Sequence, residues 1–237
     1  MIDNWRKKLG RLGAEVSVVV LGVTIALWAD GWVAERNDRS VEASRLSALQ
    51  DNVSVTLADL SKARDNAGGA AAALRELVSL QPNDRNDDEI GELLRYGLTY
   101  GPDFFPELNV YDDLKNSGEL ALLTNPELRR SLATMDARLE QARFAQADLI
   151  TVMQLNFDSY LITHFDLRWL YGPLTKLDQD TEPSEADLGF TSEMEFQNLV
   201  VFKLDMVEQV EAAFQETEDA LMAVQKTITS QLATQRR

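Results

Sequence analysis

Val16-Ser17-Val18-Val19-Val20-Leu21-Gly22-Val23-Thr24-Ile25-Ala26-Leu27-Trp28-Ala29 is a run of fourteen residues without a charge. Arg6, Lys7, Lys8 and Arg11 precede it, and Asp30, Trp32 and Glu35 follow it. Basic residues on one flank, with acidic residues and tryptophans on the other, are the pattern of a membrane-spanning helix whose N-terminus faces the cytoplasm. A span needs about 20 mostly apolar residues, so the helix must take in residues 13–32, and the nearby charges then need places. Arg11 and Glu15 are four apart and share a helix face, where they can pair near the cytoplasmic headgroups. Asp30 falls at the opposite interface beside Trp28 and Trp32, whose rings favour that depth. A cleaved secretory signal is the rival reading. Leu27 ahead of Ala29 and Trp32 ahead of Ala34 make a poor cleavage site, which favours a retained anchor.

This reading divides the chain into a basic cytoplasmic tail over 1–12, an anchor over 13–32 and an extracytoplasmic domain over 33–237. It places the protein in the cytoplasmic membrane with its bulk outside. One face of the anchor carries Ala14, Val18, Gly22 and Ala26 at intervals of four. Small residues at that spacing let a second helix approach closely in lipid, although glycine and alanine are also common in membrane helices. The expected partners are the lipid bilayer and another membrane protein or a second copy of this chain.

The anchor also resembles a known pattern. Gly13-Ala14-Glu15-Val16, Val18 to Val23, Ile25-Ala26-Leu27 and Asp30-Gly31-Trp32 are similar to the N-terminal signature of an uncharacterised bacterial membrane-anchored family. That signature runs G-E, a hydrophobic stretch, G, I-A-L and then D-N-W. A second matching block is Tyr111-Asp112-Asp113-Leu114-Lys115-Asn116-Ser117-Gly118-Glu119-Leu120, continuing through Leu122-Leu123-Thr124-Asn125-Pro126-Glu127-Leu128-Arg129. The chain departs from the pattern with Ala14 inside the G-E pair and Gly31 in place of asparagine. The resemblance implies a single-pass protein with a helical extracytoplasmic domain and implies no activity.

Composition suits a folded domain: 45% of the residues are hydrophobic and 26% charged, enough for one sizeable core. The net charge is −16. The first twelve residues carry +3, which leaves −19 on the remainder. So acidic a body repels nucleic acid and anionic lipid. The absence of cysteine rules out disulfides, thiolate metal sites and a cysteine nucleophile.

The spacing predicts an all-α fold, an anchor helix continuing into an elongated antiparallel bundle. Leu46, Leu49, Val53, Leu57 and Leu60 recur every three or four residues, as an amphipathic helix requires. Gly68-Gly69 is expected to break it, with short helices over 70–80, 89–98 and 111–116, the last closed by Gly118 as a left-handed cap. Asn125-Pro126 predicts a helix start. From there Leu128, Leu132, Met135, Leu139, Ala142, Leu149, Met153, Phe157, Tyr160 and His164 form one stripe. Ser192 with Glu195 forms a capping box, and Val200, Lys203, Val207, Val210, Phe214, Thr217, Leu221, Val224 and Ile228 form another stripe. Such stripes ask for partner helices along their length. An up, broken-down, up, down order would return Arg236-Arg237 to the membrane.

Candidate chemistry is sparse. His164 stands alone, without a nearby nucleophile or ligand cluster. Asp84-Asn86-Asp88 and Asp178-Asp180-Glu182 alternate oxygen ligands but lack the glycine and glutamate of a calcium loop. Tyr96, Tyr100, Phe104, Phe105 and Tyr111 form an aromatic segment that could be a contact patch, a ligand pocket or a plug closing the end of the bundle. No catalytic, cofactor or metal residue is expected. The leading expectation is a non-catalytic accessory or scaffold protein acting through helix faces. Behind it stand a ligand-sensing bundle that signals through a partner and, last, an enzyme built on scattered carboxylates.

Overall fold

The computed structural model describes residues 3–80, 87–167, 169–171 and 193–235. Every long element among them is helical: α1 (Asp3–Ser79), α2 (Asp87–Thr99), α3 (Asn109–Asn116), α4 (Pro126–Val152), α5 (Asp158–His164) and α6 (Met194–Gln235). A short 3-10 turn (Glu119–Leu122) precedes α4, and a π-turn (Met153–Phe157) joins α4 to α5. The chain divides into two compact units, Met1–Ala48 with Leu232–Arg237, and Leu49–Gln231.

In the first unit, Leu21, Val23, Trp28 and Trp32 of α1 are exposed. The Arg36 guanidinium lies over the Trp32 ring, 5.5 Å from its centroid, one helical turn on. Among the described residues no helix is long and apolar enough to cross a membrane. The side chains of residues 1–20, and those of Gly22, Ala26 and Asp30, lie outside the described residues. Most of the expected anchor and its small-residue face fall there, with Arg11 and Glu15.

The second unit is a helical bundle. Gln50 bonds Thr229 at 2.8 Å, Gln225 bonds Ser54 at 2.8 Å, Arg64 pairs with Glu218, and Arg75 with Glu208 at 2.8 Å. As one number climbs the other falls, so α1 and α6 run antiparallel. On the other side of α6, Arg138 of α4 meets Glu216 at 2.6 Å, and further along the Lys203 ammonium sits 5.4 Å from the Phe157 ring centre. These contacts also descend in register, which makes α4 antiparallel to α6. All nine positions of the α6 stripe from Val200 to Ile228 are buried, because a 3–4 repeat keeps one face inward along a straight helix.

Gly68 and Gly69 do not end α1; the helix runs through them to Ser79. Each glycine costs about 1 kcal/mol against alanine in a helix, and here they make room. A Cβ on Gly69 would lie 2.6 Å from the Tyr96 hydroxyl oxygen, and one on Gly68 would lie 3.0 Å from a Glu211 carboxylate oxygen. The helix expected to run unbroken from Asn125-Pro126 along the stripe to His164 is interrupted by the π-turn, beyond which α5 ends at His164. Glu195 stands in the first turn of α6; Ser192, its expected capping partner, lies outside the described residues, as do Arg236 and Arg237.

The second resemblance block acquires a physical account. Asn125 caps α4, its side-chain oxygen accepting from the amides of Glu127 (2.9 Å) and Leu128 (3.3 Å). Gly118 takes φ 76°, the left-handed region where glycine avoids a Cβ clash. Lys115 bridges to Asp136 at 2.7 Å, and Arg129 donates to the Leu123 carbonyl at 2.7 Å. The block builds the corner between α3 and α4.

Candidate functional site

The aromatic segment splits in two. Tyr100, Phe104 and Tyr111 are buried, whereas Tyr96 and Phe105 are exposed. Phe104 meets Phe214 of α6 edge-on at 5.5 Å, a favourable quadrupole arrangement. The buried Gln146 amide of α4 holds the Phe104 backbone from both sides, accepting from its N–H at 3.2 Å and donating to its carbonyl at 3.1 Å. Asn52 of α1 likewise donates to the Glu107 carbonyl at 2.7 Å and accepts from the Val110 amide at 3.3 Å. The loop between α2 and α3 is thereby sewn onto α1 and α4 at its backbone. Burial, then nearby Asp103, raises the Tyr100 hydroxyl well above its ordinary range; burial, then Asp136, does the same to Tyr111.

Lys203 occupies a stripe position with no exposed surface. Its ammonium donates to the Leu98 carbonyl in the last turn of α2, one of the carbonyls a helix end leaves unsatisfied. The Phe157 ring faces it from the π-turn. Burial pushes the amine down to about 7, with Asp158 acting in the opposite sense. Spacing placed Lys203 inward, whereas Gln146 was not among the expected stripe positions and is buried all the same. The signal was a polar side chain at a core register, between Val200 and Val207 for one and between Ala142 and Leu149 for the other.

An open groove of about 840 Å³ lies between the π-turn with α5 and the first turns of α6. Leu155, Tyr160, Met194, Leu199 and Phe202 supply apolar surface, and Glu195 lines it too. Leu155 is 73% exposed and Met194 77%, high values for apolar side chains within helices. At its floor Tyr160 stacks on His164, with ring centres 4.1 Å apart, and on Phe196 at 6.1 Å. Burial and then Glu193 and Glu195 raise the Tyr160 hydroxyl, which has no hydrogen-bond partner among the described residues. His164 is exposed, its Nδ1 3.0 Å from the Tyr160 carbonyl. A second groove, about 710 Å³, lies beside Gly68 and Gly69 among the Arg64 and Arg75 ion pairs. No group of metal-ligating side chains occurs among the described residues. Asp84, Asn86, Asp178, Asp180 and Glu182 lie outside them, as does the Asp88 side chain.

The fold and these sites define an all-helical bundle protein with a grooved surface. No family model matches the chain, and no curated protein or solved structure matches it either.

Proposed function

We propose that this is a membrane-tethered accessory or scaffold protein that binds a protein partner, or a second copy of itself, through helix faces. The observation carrying this reading is the unsatisfied apolar surface on α1: Leu21, Val23 and Trp28, in the stretch between a basic and an acidic flank, are exposed, as is Trp32 in the acidic flank. Exposed apolar surface of that kind is stabilised by lipid or by a partner. The same helix continues as the first helix of the bundle, which gives a tether covalent continuity with the surface it would present. The bundle's acidic charge makes other proteins better partners than nucleic acid.

The test is crosslinking in intact cells followed by purification of the full chain from membranes. A reproducible crosslinked partner or homo-oligomer, weakened by Gly22→Leu, is expected. A chain found in the soluble fraction as a solitary monomer overturns the reading.

A further inference from the structure

We propose that the groove between the π-turn with α5 and the start of α6 is a docking site for a basic amphipathic helix of a partner protein. This deepens the scaffold reading and rests on it: it names the surface and the chemistry of what lands there. The π-turn shapes one wall of the groove. Its five residues, Met153–Phe157, take a wider helical path, and such turns interrupt the regular facing of side chains. Phe157 goes inward against Lys203, while Leu155 is left standing in solvent beside the groove.

Residues 155, 156, 159, 160, 163 and 164 line one wall, and residues 194, 195, 198, 199 and 202 line the other. Each wall is a face of an antiparallel helix, repeating every four residues. The channel between them is about 13 Å long by helix rise, two to three turns of a third helix with anchors at i, i+4 and i+7.

Charge selects the occupant. Glu195 lines the groove, and Glu193 stands close enough to act on the Tyr160 hydroxyl. Among the described residues no lysine or arginine lines it. An apolar row flanked by Lys or Arg therefore complements the groove, and an acidic helix is repelled. A second copy of the bundle brings an equally acidic surface, which disfavours self-docking here.

The chain lacks cysteine, so a single Asn198→Cys substitution in the full-length protein accepts one environment-sensitive fluorophore in the groove. The probe is an idealised Leu/Lys amphipathic peptide of about four helical turns, with a Leu/Glu peptide of the same pattern as control. The protein is held in a neutral amphipol. The Leu/Lys peptide is expected to give a saturable shift that Leu155→Asp abolishes and Glu193→Gln with Glu195→Gln weakens about tenfold. A label placed instead at Asp219 should stay silent. No saturable shift, an equal response to the Leu/Glu peptide, or an equal response from the Asp219 label overturns the proposal. A shift on adding unlabelled protein alone overturns it in favour of self-association. Partners that still crosslink in cells while the groove stays silent would sink this inference and leave the scaffold reading standing. A groove that binds the peptide in a chain without cellular partners would do the reverse.

Discussion

The Lys203 ammonium, buried on the inner stripe of α6, donates to the Leu98 carbonyl in the last turn of α2. One side chain thus caps a neighbouring helix from inside the core, and the stability of that junction depends on pH. The amine titrates near 7 in the fold, against about 10.4 in an unfolded chain. Between those values the unfolded chain binds more protons, so this residue makes stability rise with pH. Buried Tyr100 and Tyr111 reverse the trend above about pH 10, because the unfolded chain then loses protons first. The urea midpoint of the full chain should climb from about pH 7 to 9.5 and then fall. Lys203→Met should flatten the climb; an unchanged slope in that variant would show that another group is responsible.

Gln146 holds both backbone groups of Phe104. Gln146→Leu keeps the volume and strands a buried N–H and a buried carbonyl, at a cost of about 2–4 kcal/mol. Thermal unfolding followed by circular dichroism measures it. A loss under about 1 kcal/mol would mean that water replaces the amide.

Two helical glycines that look alike should respond with opposite sign. A Cβ on Gly97 would lie 2.9 Å from Cδ2 and 3.0 Å from Cγ of the buried Leu74. Overpacking there outweighs the gain in helix propensity, and Gly97→Ala should destabilise by about 1–2 kcal/mol. At Gly69 the obstacle is the end of the Tyr96 side chain, which is half exposed and can swing away. Gly69→Ala should be neutral or stabilising by up to about 1 kcal/mol. Denaturant midpoints of the two variants, compared side by side, decide the matter.

At the start of α4, Asn125→Ala removes an acceptor from two amides and should cost about 1 kcal/mol, whereas Asn125→Asp should cost little. Equal losses in both variants would show that the cap contributes through packing, not through its hydrogen bonds.

Much of the helical frame was legible residue by residue. The Asn125-Pro126 start, the Gly118 turn and the inward stripe from Val200 to Ile228 stand where local chemistry put them. Gly68-Gly69 misled because glycine in a helix signals either a stop or a close approach, and Tyr96 and Glu211 come from distant parts of the chain. The aromatic segment could not be sorted either. Tyr100, Phe104 and Tyr111 turn inward while Tyr96 and Phe105 face out, and the bonds that fix the Phe104 and Val110 backbone come from Gln146 and Asn52, on helices that spacing alone cannot bring together.

Helical periodicity, caps and charge balance act within a few residues, so the order of amino acids was enough to make this chain all-α, acidic and striped. Which helices meet, and in what register, depends on packing between segments as much as 179 positions apart, as in the bond from Gln50 to Thr229. That packing alone set the inward Lys203 against the Leu98 carbonyl and left Leu155 standing beside the groove. Long-range burial selects among side chains that local pattern treats as equivalent, and for that reason the grooves emerged only with the fold.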